Sequence, residues 1–350
     1  MTIIIPRECE GRTLRSYLKL TLALSTAMIA RLKNHERGMV VNGERVTVRC
    51  VLHAGDVLEI ADRDTPECAT ETVIPVDLPL DILYEDEHVI ALNKPADMPT
   101  HPSHGHLCDT LANALAYRYE RSGEPFVFRP LGRLDRNTSG VVIAAKTRAA
   151  SGTMGQALRR GDVRKRYLAI LEGRMPADGQ VHDVIAPIHR PQAEIGSILR
   201  AVCPEGTEGA DHAHTRYRVL ATSDTHTLVL AEPVTGRTHQ LRVHFSHIGH
   251  PIMGDELYGQ ASDRIGRHAL HALSLSVPLP FLRVTGASSD DRPTAMEELD
   301  ASLPLNRPTP DGYLRTWAPL PSDMATLIDE LFSDGFSLPL HPTVGNLRIL

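Results

Sequence analysis

Residues 129–147, RPLGRLDRNTSGVVIAAKT, constrain the fold more than any other part of this chain. They begin as a polar loop flanked by glycine and pass without a break into the apolar run 140–145. A short apolar run bounded by a turn signal reads as a strand buried in a sheet. Asp135 therefore stands at the mouth of a buried strand, close to Arg133 and beside Arg136. Neighbouring cations favour the ionised carboxylate, while partial desolvation opposes it. A carboxylate held this way suits attack on an electrophile or stabilisation of a developing cation. A surface ion pair in a turn would use the same residue types. Thr138 and Ser139 are placed to orient the loop through side-chain-to-backbone hydrogen bonds.

The other apolar runs from about residue 79 onward, HVIALNKP, RYLAILEG and HTLVLAEP, are also short and strand-like. Helical patterns fall between them, near 107–120 and 149–160. Strands and helices alternate without a strict βαβ rhythm, so the class expected is α+β. In front of this domain, residues 1–61 read as a small α/β unit. Met28, Ile29 and Leu32 share one helical face, with Ser25 or Thr26 as cap and Gly38 as stop. Asn42-Gly43 between β-prone pieces signals a hairpin, because both residues accept positive φ. Residues 62–78 are acidic and aperiodic, a linker between this unit and the domain over 79–350. Within that domain, 281–311 is rich in Pro, Asp and Ser and reads as a loop insertion, and 312–335 as a closing strand and amphipathic helix.

Net charge is −6, but its distribution matters more than its sum. Residues 1–60 hold nine Lys and Arg against six Asp and Glu, and residues 129–174 hold eleven against three. The acidic excess lies in 61–100 (two against ten) and in 281–350 (five against ten). A polyanion responds to the local field of a cleft, so this pattern is compatible with RNA. Five scattered cysteines form no disulfide framework or CxxC pair, which suits a cytoplasmic protein. No secretory signal and no apolar run near the length of a membrane span are seen, and no membrane partner is expected. There is no Gly-rich phosphate loop or nucleotide fingerprint, so no cofactor is expected.

Two more segments carry chemistry. In 236–259, GRTHQLRVHFSHIGHPIMGDELYG, the run HQLRVHF alternates as a strand would, with Gln240, Arg242 and His244 on one face. Cations and donors on a single face suit phosphate or carboxylate recognition. The histidines form no HExxH and no metal site is expected. In 164–173, RKRYLAILEG, three cations precede Tyr167, a pattern that can hold phosphates and stack a base. A tyrosine at a sheet edge would look the same.

Taken together and in this order, these segments resemble the RluA-type RNA pseudouridine synthases over about residues 79–280, with an S4-like RNA-binding domain matching 12–60. GRLDRNTSG (132–140) resembles the family's catalytic stretch, ALNKPADMPTHPS (91–103) its opening strand and loop, and KRYLAILEG, GRTHQLRVHFSHIGHPIMGDELYG and ALHALSL its later motifs. The resemblance implies a mixed, largely antiparallel sheet with flanking helices. It implies Asp135 as the essential carboxylate, Tyr167 against the target base, and Arg242 pairing with Asp135. Arg133, Arg136, Thr138, Lys165, Arg237, His239, Gln240 and Leu241 are the expected substrate contacts, joined by Arg31, Lys33 and Arg37 on the S4-like unit. Two positions depart from the pattern: Gly132 stands where His or Asn is common, and Asp97 where Gly is usual.

The expected reaction is isomerisation of uridine to pseudouridine in ribosomal or transfer RNA by a monomer without metal. A non-catalytic RNA-binding or ribosome-assembly protein that keeps the fold is the main alternative. A nucleoside hydrolase would use a carboxylate at C1′ but would not account for the first sixty residues.

Overall fold

The computed structural model describes residues 2–22, 24, 26–35, 37–61, 73–191, 198–279, 306–309 and 312–332. Ser25, most of the expected linker and most of the 281–311 stretch lie outside the described residues.

The first unit is a four-stranded antiparallel sheet, β1 (Thr2–Ile4), β2 (Met39–Val41), β3 (Glu44–Arg45) and β4 (Val57–Ile60), in the order β1-β4-β2-β3. Asn42 and Gly43 join β2 to β3 with φ of 52° and 84°, the double positive φ that the sequence calls for. A short helix α1 (Leu14–Ser16) runs on through a π-helical turn, Tyr17–Thr21, and α2 spans Thr26–Asn34. Leu14, Leu18, Leu32, Leu52 and Leu58 pack between them. Gly38 is required for close approach: a Cβ there would stand 1.8 Å from the Leu32 carbonyl oxygen.

The second unit is built on an eleven-stranded sheet. Its strands are β5 (Ile82–Glu85), β6 (Val89–Lys94), β7 (Arg129–Pro130), β8 (Ser139–Ala145), β9 (Arg164–Glu172), β10 (Val181–Ile185), β13 (His214–Thr222), β14 (His226–Pro233), β15 (Leu270–Pro278), β16 (Arg307–Pro308) and β17 (Tyr313–Trp317). The main path is β10-β13-β14-β9-β15-β8-β6-β5. Among the described residues only β15 and β8 pair in parallel, so the sheet is mixed and largely antiparallel. β11 (Ile188–His189) and β12 (Ala201–Val202) form a small separate ribbon.

Helices cover both faces, which explains why every residue of β8 is buried. α3 (Leu111–Ser122) packs on Ile90, Leu92, Val142 and Ala144, and α4 (Arg148–Arg160) on Val89, Ala91, Val141 and Ile143. Strand alternation assigns these sets to opposite faces. Thr110 and Thr147 cap the two helices, and Gly123 and Gly161 end them in the left-handed region. α6 (Ser322–Leu331) is the last described element and adds Met324, Leu327 and Ile328 to the core. The two units meet at α4: Ala149 joins the first unit's core, and Thr153 Oγ1 donates to the Leu22 carbonyl at 3.1 Å.

One element differs from its sequence reading. HQLRVHF is not a strand but the helix α5 (Gln240–His247). All of Gln240, Leu241, Arg242, Val243, His244 and Phe245 are buried, so alternation of polar and apolar residues does not report a wet and a dry face. The polar members are buried because they have partners. His244, for example, lies 2.9 Å from Thr215 Oγ1 and 3.0 Å from the Ala186 carbonyl.

Candidate active site

The 132–138 loop leaves β7 and enters β8 where β15 pairs with it, His271 opposite Ser139 and Ala272 opposite Gly140. A Cβ at Gly140 (φ 113°) would lie 2.2 Å from the Ala272 carbonyl oxygen, so only glycine permits this approach. The start of β15 is thereby brought against the base of the loop, and the loop carries Asp135.

Asp135 keeps 29% of its side chain exposed, while its partner Arg242 keeps 9%. Arg242 Nη1 donates to Asp135 Oδ2 at 3.2 Å. The rest of the guanidinium is fixed from behind: Nε and Nη2 donate to the two oxygens of Asp255 at 2.7 and 2.8 Å. The ring of Tyr258 lies 5.0 Å beneath its carbon. Burial disfavours the Arg242 charge, but the two carboxylates outweigh it and its pKa lies above the usual value. Asp255, fully buried, is likewise held below the carboxylate range: burial acts against ionisation, and the Arg242 fork overcomes it.

His239 sits at the start of α5 with φ 56°, a left-handed conformation that costs a non-glycine residue roughly 1–2 kcal/mol. Its Nδ1 is 2.7 Å from Tyr258 Oη, and its Nε2 is 3.9 Å from Asp135 Oδ2. Burial holds its pKa below 6.5. The Tyr258 hydroxyl also accepts from the Arg200 N–H at 3.0 Å, so the His239 ring is tied through Tyr258 to the Arg200 backbone.

The loop backbone is pinned from several sides. Lys94 is fully buried, and its Nζ donates to the carbonyls of Pro95, Met98 and Arg136 at 2.7, 2.7 and 3.0 Å. Three acceptors match the three hydrogens of an ammonium, although burial brings its pKa down to about 7. Thr100 Oγ1 donates to the Leu134 carbonyl at 2.9 Å and accepts from the Leu134 N–H at 3.2 Å. Arg267 Nη1 donates to the Asn137 carbonyl at 3.1 Å while its Nε and Nη2 hold Asp323 on α6. Thr138 Oγ1 lies 2.8 Å from His268 Nε2, and Ser139 Oγ 2.9 Å from His271 Nδ1. Burial lowers both histidines to about 4, so both are neutral at pH 7.

The expected site residues divide into groups. Asp135, Arg242 and His239 meet directly. Tyr167, on β9, is partly buried against the central core, and burial together with the Asp135 charge drives its phenol pKa well up. Lys165 lies on the same side of β9, its Nζ 2.9 Å from where a Cβ at Gly132 would stand. The ammonium thus occupies space that a side chain at 132 would take. Arg136 is exposed and pairs with Asp97 at 2.6 Å, and Asp97 holds the left-handed turn (φ 64°) that glycine would otherwise make. Arg133 is exposed. Thr138 and Leu241 are buried. Gln240 uses its whole amide within the protein, toward Thr235, Arg237, His214 and Thr215. Arg237 turns to Asp211 and the His212 carbonyl. Lys33 and Arg37, on the first unit, are exposed. Arg31 lies on α2, and its side chain is outside the described residues. The sequence analysis assigns no role to Asp255, Tyr258, Lys94 or His271, although they fall inside its GDELYG, NKP and ALHALSL stretches, nor to Arg267 and His268, which lie just before ALHALSL. No group of three or more His, Cys, Asp or Glu suited to a metal occurs among the described residues.

The site is thus an arginine-held, part-open carboxylate at one strand mouth of a largely antiparallel sheet. Residues 88–247 match the RNA pseudouridylate synthase family, a span that contains Asp135, Tyr167 and Arg242. The chain is 36% identical over 308 residues to the uncharacterised RNA pseudouridine synthase YjbO of Bacillus subtilis, covering 88% of this chain and 95% of that one. It is 33% identical over 303 residues to the ribosomal large subunit pseudouridine synthase D of Vibrio cholerae, covering 82% and 85%. The structure of human RNA pseudouridylate synthase domain containing 4 matches with a TM-score of 0.51 at 23% identity, over 72% of this chain and 92% of that one, a likeness of fold alone. The chain belongs to the RNA pseudouridine synthase family and is an isomerase.

Proposed function

We propose that the protein converts specific uridines of ribosomal RNA to pseudouridine, with Asp135 as catalytic carboxylate. The observation that carries this reading is the geometry of Asp135: part open to a substrate, yet fixed by an arginine that a second, buried carboxylate holds from behind. Preorganised charge of this kind is what a reaction at C1′ of a sugar requires. The names of the relatives matched in sequence support ribosomal RNA, and transfer RNA is the second candidate.

In the reaction the N1–C1′ bond breaks, the C5–C1′ bond forms, C5 loses its proton and N1 gains one. The target nucleotide has to leave its stack for any of this to occur. Asp135 assists the first step by attack at C1′, by stabilising positive charge there, or by deprotonating C2′. Tyr167, kept neutral, lies against the base, and Arg242 orients Asp135. Residues 1–61 act as an S4-like RNA-binding domain followed by a linker over 62–78, and Arg31, Lys33 and Arg37 supply phosphate contacts. The protein works in the cytoplasm as a monomer and needs no cofactor.

Tritium release from RNA labelled at uridine C5 tests the reaction. Catalysis frees tritium in step with pseudouridine. An RNA-binding or ribosome-assembly protein frees none, and a hydrolase frees uracil instead.

A further inference from the structure

The cations at 164–166 do not act together. Strand alternation sends Lys165 and Tyr167 toward Asp135, and Arg164 and Arg166 to the opposite face of the sheet. On that face Arg164 Nη1 donates to Glu232 Oε1 on β14 at 2.9 Å, and Arg166 Nε lies 4.0 Å from Glu232 Oε2. Glu232 stands opposite Arg216 of β13, whose Nε is 3.4 Å from Asp183 on β10. Arg218, two residues further along β13, shares that side. Ser276 of β15 stands opposite both Arg164 and Arg315 of β17, and Ser274 opposite both Arg166 and Trp317. Five arginines from three strands thus share one face with two carboxylates. α4 and α5 lie on the other face, against Leu275 and Leu314 and against Tyr217.

This arrangement is costly to the fold. Like charges across neighbouring strands destabilise a sheet. The Arg166 guanidinium is pushed below its usual range by burial and by Arg164, Arg315 and Arg218, against the pull of Glu232. Arg166 Nε and Arg218 Nε are buried without a hydrogen-bond partner among the described residues. All five cations are arginine, whose fork meets phosphate oxygens two at a time. β13 and β17 are four strand spacings apart, about 19 Å, so the row can follow a nucleic-acid backbone over several phosphates. Trp317, the only tryptophan of the chain, borders the row and offers a ring for base stacking.

We propose that this arginine face is a second RNA-contact surface, gripping the sugar-phosphate backbone of a segment that flanks the target, on the side of the sheet away from Asp135. The inference rests on the reading of the protein as an enzyme acting on RNA.

The test is the full chain carrying Arg216→Gln with Arg218→Gln, compared with wild type for affinity to a long folded ribosomal transcript and to a short hairpin across a salt series. For the long transcript the variant binds roughly tenfold more weakly at low salt, and the slope of log affinity against log salt falls by about 2. The loss is smaller for the hairpin, and the thermal midpoint rises because repulsion is relieved. Equal affinity and slope in the two proteins, or a midpoint several degrees lower in the variant, would overturn the proposal and leave the arginines as parts of the sheet. Wild-type tritium release is measured on the same transcript. No release there would sink the enzyme reading, whereas release with unchanged affinity in the variant would sink this one alone.

Discussion

The loop around Asp135 and the unit formed by residues 2–61 use charge in opposite ways. Beneath the loop, Lys94, Arg267 and Arg242 are buried and each has named partners: Lys94 on three carbonyls, Arg267 on Asn137 and Asp323, Arg242 between Asp135 and Asp255. On the first unit Lys33 and Arg37 stand exposed, and the unit touches α4 through Ala149 and Leu22. Chemistry at one atom needs a position held within a fraction of an ångström, which buried, fully paired groups provide. Affinity for a polyanion needs only charge near its path, which exposed side chains provide. Changes to the loop should therefore act on rate and stability, and changes to the first unit on binding.

The largest effect short of removing Asp135 is expected from Arg242→Met. It leaves the buried Asp255 without its cation and Asp135 without its anchor. Denaturation should show a loss of about 3–5 kcal/mol, the cost of breaking a buried pair. Tritium release should fall roughly a hundredfold or more, as expected for a displaced reacting group. Normal turnover in this variant would dissolve the contrast between the two regions.

Acid should loosen the loop next. His268 and His271 titrate near 4 in the fold against 6.5 when unperturbed, so the unfolded chain binds more protons between those values. Stability is then present above about pH 6.5 and lost as the pH falls toward 4, by about 3 kcal/mol for each histidine. Denaturation midpoints measured from pH 7 to 4 check this, and His271→Gln should flatten the curve.

On the first unit, Arg31→Gln with Lys33→Gln and Arg37→Gln should weaken RNA binding by roughly ten- to a hundredfold at low salt and reduce the salt slope by about 2–3. The single-turnover rate at saturating protein should change by less than about twofold, because the loop is untouched. A matching fall in that rate would mean the unit also positions the target. The smallest effect is expected from Gly132→Asn. The new Cβ would force Lys165 Nζ aside, and since a lysine end is flexible the rate should drop only a few-fold.

Much of this was legible in the sequence because the signals were local. The Asn42-Gly43 hairpin, the helices α3 and α4 and the wholly buried β8 follow from turn chemistry, helical patterns and short apolar runs. The helix α5 was not legible, because its polar residues are buried and the period that separates helix from strand was masked. The partners of the loop were hidden for a related reason. Asp255, Arg267, His268 and His271 lie more than a hundred residues from Asp135, and only the parallel pairing of β8 with β15 and the placing of α5 bring them near. The cations at 164–166 were legible as charge but not as two separate faces, a distinction that appears only once β9 is known to be a strand between β14 and β15.

The most direct measurement is pseudouridine formation by Asp135→Asn under single-turnover conditions, with protein in excess over ribosomal RNA and binding measured on the same samples. Conversion should fall to background while affinity stays within about twofold of wild type, since the amide keeps the size of the carboxylate but not its charge. Conversion at the wild-type rate would contradict the assignment of Asp135 and move the chemistry elsewhere in the fold.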